Sequence, residues 1–193
     1  VVNTADCTGA ISFRYAEQCS ARNIRVEIPV VADNYCPFSI NWSKYVSCLG
    51  CSTMFDEELA ALLKPIAAEG FKAYSRYNLF CIFASFGCGF EQCESDFSTH
   101  AFNITAGRVG HIPCVGCYVR NCRASNAVWA GVIVQQACCN SLLEGNKVSG
   151  SVQGVVSGGR NTVIRNNEVY CDLPFETNYY YAHAKRGGTS GVG

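Results

Sequence analysis

Fourteen cysteines punctuate a chain of 193 residues. They are Cys7, Cys19, Cys36, Cys48, Cys51, Cys81, Cys88, Cys93, Cys114, Cys117, Cys122, Cys138, Cys139 and Cys171. Thiols bind soft metals, exchange electrons or cross-link. Cys48-Leu49-Gly50-Cys51 and Cys114-Val115-Gly116-Cys117 have the C-x-x-C spacing that lets two thiolates share a tetrahedral zinc. The two pairs stand 62 residues apart, far from the spacing of a zinc ribbon, and zinc would leave ten thiols unexplained. A redox-active pair leaves the same remainder. At this density in an oxidising compartment, cysteines become cross-links. The expectation is a structural framework of up to seven disulfides, of unassigned connectivity, with no metal and no cofactor. Cys138 and Cys139 are expected to take different partners, because neighbours on a strand face opposite sides.

Other chemistry is sparse. Asn41-Trp42-Ser43 and Asn103-Ile104-Thr105 are N-glycosylation sequons, which makes Asn41 and Asn103 candidate glycan sites. The histidines, His100, His111 and His183, fall in no metal motif. His111 has a faint likeness to a glycosidase glycine-histidine turn, and reads better as a turn residue between strands. Glu91, Glu94 and Asp96 cluster around Cys93, as a solvated loop or a calcium site. Tyr179, Tyr180 and Tyr181 suit packing or an interface better than sugar stacking, since alternation puts at most two on one face. Ser157-Gly158-Gly159-Arg160 lacks the Lys-Ser/Thr of a phosphate loop. No set of residues is assigned as catalytic.

Charged residues are 16% of the chain, and 15 basic side chains balance 15 acidic ones. That balance argues against nucleic acid or an anionic membrane as the main partner. No apolar run is long enough for a spanning helix. The opening residues carry no basic-then-apolar leader, as expected if a signal segment lies outside this sequence.

The second half repeats. Gly131-Val132-Ile133-Val134 returns 23 residues later as Gly154-Val155-Val156-Ser157. Ser141 to Val148 returns after 21 as Thr162 to Val169, and Cys117 to Ala124 precedes Ser141 by 24. Short β-branched runs at this period suit one coil of a solenoid, with like strands stacked in parallel about 4.8 Å apart. Asparagine at a corner tolerates left-handed backbone and can stack its amide on the next coil. Asn146 and Asn167, 21 apart, are the expected ladder.

At these residues, above all Arg160 to Tyr170 and Asn140 to Ser149, the chain resembles the right-handed parallel β-helix, pectate-lyase-like superfamily. Gly9 to Phe13 followed by Asn23 to Ile28 reads as a further coil. The resemblance implies a fold; the aspartate and arginine motifs of that superfamily's lyases and hydrolases are absent, which puts activity in doubt.

Between them the pattern breaks. Ser52 or Thr53 would cap a helix through Phe55, Leu59, Leu62, Leu63 and Ile66, one helical face. The expected fold is therefore mainly β: a right-handed parallel β-helix solenoid with a disulfide-stapled, partly helical insertion. Residues 1–35 would supply first coils and 36–100 the Cys-rich insertion, with a short helix near 53–69. Residues 101–172 would form further coils and 173–193 a C-terminal tail. After the last coil no amphipathic capping helix follows, so the chain is expected either to be part of a longer protein or to dock on another copy. Three functions compete. The first is a secreted structural subunit of a filament, coat or matrix, self-associating and carrying glycans. The others are a carbohydrate-active enzyme and a noncatalytic glycan-binding module.

Overall fold

The computed structural model describes residues 9–28, 36–55, 78–107, 112–151 and 153–170. Short strands dominate because apolar residues alternate with polar ones, so each strand has one face to bury. Arg25–Ile28 shows the pattern: Val26 and Ile28 are buried, Arg25 and Glu27 exposed. Three such strands and three corners make one coil.

Coil 1 is β1 (Ile11–Arg14), β2 (Ser20–Arg22) and β3 (Arg25–Ile28). Coil 2 is β4 (Phe38–Asn41), β5 (Ser47–Leu49) and β6 (Ser52–Phe55). Coil 3 takes β7 (Asn78–Phe83), β8 (Gly89–Glu91) and the start of β9 (Glu94–Thr105). Coil 4 runs from the rest of β9 through β10 (Tyr118–Arg120) to the start of β11 (Arg123–Val134). Coil 5 is the rest of β11 with β12 (Leu142–Glu144) and β13 (Lys147–Ser149). Coil 6 is β14 (Gln153–Ser157), β15 (Val163–Arg165) and β16 (Glu168–Tyr170). The six middle strands form one parallel sheet, β15-β12-β10-β8-β5-β2. The first and third strands form two more faces, which β9 and β11 join into one ten-stranded parallel sheet by running across a corner from one coil into the next. The fold is a parallel β-solenoid.

Register follows the sequence repeat. Val132 pairs Val155, Leu142 pairs Val163 and Tyr118 pairs Leu142. The corners are columns of left-handed residues. Gln18, Tyr45, Gly87, Gly116, Asn140 and Asn161 occupy one; Asn23, Gly50, Gln92, Asn121, Gly145 and Asn166 occupy another. Glycine and asparagine tolerate this backbone best. Inside, Phe80 lies between Phe38 (ring centroids 4.6 Å) and Phe102 (4.8 Å), with Phe90 edge-on at 5.2 Å. Ile40, Ile82 and Ile104 form the neighbouring buried column.

Residues 36–55 and 78–100 are coils of this stack and not an insertion on its flank. Ser52–Phe55 is strand β6, paired with Arg25–Ile28, so no helix begins at Ser52 or Thr53. The reason is the period of two: Thr53 and Phe55 are buried while Met54 is exposed. The rest of the expected helix, 56–69, lies outside the described residues, as does the 173–193 tail. The boundary placed between 100 and 101 falls within β9. The described residues contain no helix.

Phe80→Ala should lower unfolding free energy by about 3–5 kcal/mol, because the rigid coils on both sides cannot collapse into the void. Urea denaturation should show the loss as a lower midpoint at unchanged slope.

Candidate functional site

Eight of the twelve described cysteines stand in three columns at the corners. One inward column reads Ile24, Cys51, Cys93, Cys122, Asn146, Asn167 from coil 1 to coil 6. A second reads Ala16, Ser43, Ser85, Cys114, Cys138, Gly159, and a third Cys19, Val46, Cys88, Cys117, Ser141, Thr162. Cysteine here interchanges with serine and asparagine, because all three do one job. At each corner the backbone turns away from the sheet ladder and leaves N–H and C=O groups to be satisfied inside. Ser43 N–H donates to Ser85 Oγ (3.1 Å) and Ser85 N–H to Cys114 Sγ (3.5 Å). Cys122 N–H donates to Asn146 Oδ1 (3.0 Å) and Asn146 N–H to Asn167 Oδ1 (2.9 Å). In the other direction, Cys51 Sγ–H donates to Ala21 O and Cys93 Sγ–H to Cys48 O on the preceding coil. Asn146 Nδ2 and Asn167 Nδ2 make the same contact, to Val119 O and Leu143 O, each 3.0 Å. The two asparagine amides are bonded to each other at 2.9 Å.

The twelve described cysteines are free thiols, so the expected disulfides are not formed in this structure; Cys7 and Cys171 lie outside the described residues. Cys48, Cys51, Cys81, Cys88, Cys93, Cys114, Cys117, Cys122 and Cys138 are buried, Cys36 and Cys139 half-buried and Cys19 exposed. Cys138 faces inward and Cys139 outward, so the adjacent pair has different neighbours. The buried thiols touch. Those of Cys48 and Cys93 both hydrogen-bond to Cys51, which holds its thiol far below the usual range, at about 3. Cys48 is pushed up in return, and Cys93 is pushed up first by its bond to Cys122 and then by its bond to Cys51. Cys114 touches both Cys117 and Cys138 and is held up by Cys117, and Cys81 is raised by burial beside Cys36. Among the described residues no three His, Cys, Asp or Glu side chains are arranged to hold a metal ion.

Outside, several carboxylates are engaged with the neighbouring coil. Arg120 Nη2 lies 2.9 Å from Glu91, Arg165 Nε 2.7 Å from Glu144, and Lys147 Nζ 2.9 Å from Glu168. Glu91, Glu94 and Asp96 do not converge. Glu91 projects from β8 to Arg120, Glu94 lies 4.0 Å from Arg123, and Asp96 Oδ1 accepts from Asn126 Nδ2 (2.7 Å) and Phe97 N–H (3.0 Å). A pair of carboxylates flanking a groove, the requirement for glycoside hydrolysis, is not formed by these three.

The sequons differ. Asn41 is half-buried, with Nδ2 donating to Ser39 Oγ at 3.2 Å. Asn103 is 2% exposed and its Oδ1 has no partner, so a glycan there does not fit the folded chain. His100 Nδ1 bonds Asn78 Oδ1 at 2.7 Å beside the Trp129 ring, and burial lowers its pKa to about 4. His111, His183 and Tyr179 to Tyr181 lie outside the described residues. Sequence reasoning missed an aromatic corner. Tyr15 (74% exposed) stacks on Trp42 at 5.5 Å, and one coil further Tyr45 (53%) meets Phe86 (44%) edge-on at 5.4 Å. Its signal was faint, because the four residues come from coils of unequal length.

No family model and no curated protein matches the chain. Two solved structures of trypsin-treated variants of QnrB1, a plasmid-mediated fluoroquinolone resistance protein, are similar at a low level. One is 11% identical with a TM-score of 0.26, covering 95% of this chain and all of that one; the other is 13% identical with a TM-score of 0.20, covering 95% and 99%. At these scores the likeness carries no argument about function, and the solenoid rests on its own strand register.

Two outcomes follow from this geometry. Asn146→Ala should cost about 2–4 kcal/mol, because it strands Cys122 N–H and Val119 C=O inside the coil. Asn146→Cys should cost less, since a thiol already fills that slot in coils 2, 3 and 4; chemical denaturation of the two variants ranks them. His100, neutral in the fold, protonates near its ordinary 6.5 once unfolded. Stability is therefore complete above about pH 6.5 and should fall by about 1–3 kcal/mol as pH drops toward 4. Urea midpoints at pH 7 and 4.5 should differ in the wild type and differ less in His100→Gln.

Proposed function

We propose that the chain is an extracellular structural β-solenoid that assembles head to tail, coil 6 of one copy against coil 1 of the next. The observation that carries this reading is the state of coil 6. Ile164 and Val169 occupy inward positions, in line with buried Leu143 and Val148, yet they are 47% and 43% exposed. Coil 6 is also the last described coil, and among the described residues no strand pairs with its outer edge, a row of N–H and C=O groups of the kind that templates further pairing.

The two ends match in register. Continuing each column past coil 6 brings Val169 to Val26, Ile164 to Ala21, Asn166 to Asn23 and Glu168 to Arg25. Glu168 and Arg25 have opposite charge, like the Glu94–Arg123 and Lys147–Glu168 steps of that column, although Arg123 stacks on Lys147 within it. The neighbouring column is less favourable: Arg165, held by Glu144, would face Arg22. A contact between unlike ends does not close on itself and so propagates as a filament. Low overall charge and the dense thiols fit a wall or coat component in an oxidising compartment. The hand of the coil is taken as right-handed, the hand of roughly 98% of crossovers between parallel strands.

A second reading has its own observation. The aromatic corner of Tyr15, Trp42, Tyr45 and Phe86 is the kind of amphipathic surface on which sugar rings stack, which favours a noncatalytic glycan-binding module over an enzyme.

Negative-stain electron microscopy of unreduced protein should show filaments about one solenoid wide. Ile164→Asp and Val169→Asp should each disperse them to single particles with unchanged far-UV circular dichroism. Wild-type protein that stays monomeric at high concentration rejects the assembly. Dispersed particles retained by a polysaccharide column, and released by Tyr15→Ala, would support the second reading instead.

A further inference from the structure

The buried thiols form chains of contacts, and a chain can be paired off in few ways. Cys48 touches Cys51 around one corner of coil 2. Cys51 touches Cys93, stacked above it in coil 3, and Cys93 touches Cys122 in coil 4. These four run in a line, Cys48, Cys51, Cys93, Cys122. The column is in register, so consecutive members sit one strand spacing apart, about 4.8 Å, inside the Cα separation of about 4.4–6.8 Å that a disulfide spans. Cys51 and Cys93 each have two candidate partners; Cys48 and Cys122 have one each within the line.

We propose that on folding under oxidising conditions this line closes as two disulfides, Cys48–Cys51 and Cys93–Cys122. It is the one pairing along the line that leaves no thiol over. A Cys51–Cys93 bridge would leave Cys48 and Cys122, at opposite ends of the line, as buried free thiols with no hydrogen-bonded thiol left within it. The first bridge fastens a single corner of coil 2; the second ties coil 3 to coil 4 across the loop of 29 residues that separates their equivalent positions. The trio Cys117, Cys114 and Cys138 has an odd count and closes at most one bridge.

The chemistry needs an oxidant of the disulfide class, for which glutathione disulfide serves. One cysteine thiolate, its proton released to water, attacks glutathione disulfide and expels one glutathione thiolate. The second cysteine thiolate attacks the resulting mixed disulfide and expels the other. Two cysteine sulfurs are oxidised, and one glutathione disulfide becomes two glutathione thiols. All four sulfurs are buried in the finished coil, so exchange has to happen before coils 2 to 4 close over them. Fully folded reduced protein should accordingly resist both oxidant and alkylating agent.

This inference shares with the proposed function only the oxidising compartment and is independent of end-to-end assembly. The test is refolding of the full reduced chain in a glutathione buffer, an acid quench, alkylation of remaining thiols in denaturant, and mass spectrometry of tryptic peptides. Cleavage after Arg120 and Arg123 isolates Cys122 in a tripeptide, and the peptide after Lys44 holds both Cys48 and Cys51. The expected map links the tripeptide to the peptide carrying Cys93, with fragmentation placing the bond on Cys93. It also leaves the Cys48–Cys51 peptide two hydrogens lighter and unalkylated. Cys122→Ser should free Cys93 for alkylation and leave Cys48–Cys51 intact. A Cys51–Cys93 bridge as the main species, or four alkylated thiols in protein with strand-rich circular dichroism, overturns the proposal. Protein secreted from eukaryotic cells and quenched with N-ethylmaleimide never passes through refolding; its map must agree, whatever refolding yields.

Discussion

Everything in this solenoid hangs on the corners. Along the strands the backbone satisfies itself by pairing with the coils above and below. At a corner it cannot, and a short inward side chain has to take over. The inward columns show the solution repeated coil after coil: a serine, cysteine or asparagine accepts the N–H of the coil before it and donates to a carbonyl of the same or the preceding coil. An orphaned buried backbone group costs about 1–3 kcal/mol, so the six coils depend on these contacts as much as on the phenylalanine stack. Cysteine suits the role because its thiol is a weak donor and acceptor that costs little to bury. Here its abundance has a reason in hydrogen bonding even before any cross-link forms.

The same corners explain what the sequence disclosed. In coils 4 to 6 the left-handed column reads Asn121, Gly145, Asn166, residues whose backbone preferences announce a corner. In coils 1 to 3 the equivalent and neighbouring left-handed positions include Gln18, Tyr45, Gln92, Trp42 and Phe97, which carry no such signal. Spacing compounded this. Equivalent residues are 21 and 24 apart late in the chain, but 42 apart between coils 2 and 3 and 27 between coils 1 and 2. The extra length falls at corners and leaves the strands in register. Residues 36–100 therefore look like an insertion when only their spacing is read, and the apolar positions of Phe55 to Ile66 invite a helical period that Ser52–Phe55 does not follow. The asparagine ladder was legible because both members carry the same residue; the thiol columns were not, since equivalence of Cys51, Cys93 and Asn146 exists only once coils are stacked.

On the outer surface the carboxylates of three coils are tied to their neighbours. Glu91, Glu144 and Glu168 each meet a cation of an adjacent coil within 3 Å. These exposed pairs contribute little stability individually, about 0–1 kcal/mol. Their effect is on register: a slip of one residue along the strands would separate each pair and set the charged side chain against an inward or corner position. The parallel β-solenoid is the part of the resemblance that the strand register bears out, and these three carboxylates serve its stack.

Stacking of copies would meet the corner rule at one place it cannot fully satisfy. Within the chain, Asn146 N–H finds Asn167 Oδ1 in the coil after it. At a junction, Asn167 N–H would meet Ile24 of the incoming coil, a side chain with nothing to accept a hydrogen bond. The valine and isoleucine columns and the Glu168–Arg25 pair favour the contact, while this one unmet donor weakens it relative to every interface inside a subunit. The junction is then the softest plane of a filament, so stress or dilution separates whole subunits before it opens any coil. A scaffold assembled as proposed would gain from that order of strengths, since each unit stays folded when the filament parts.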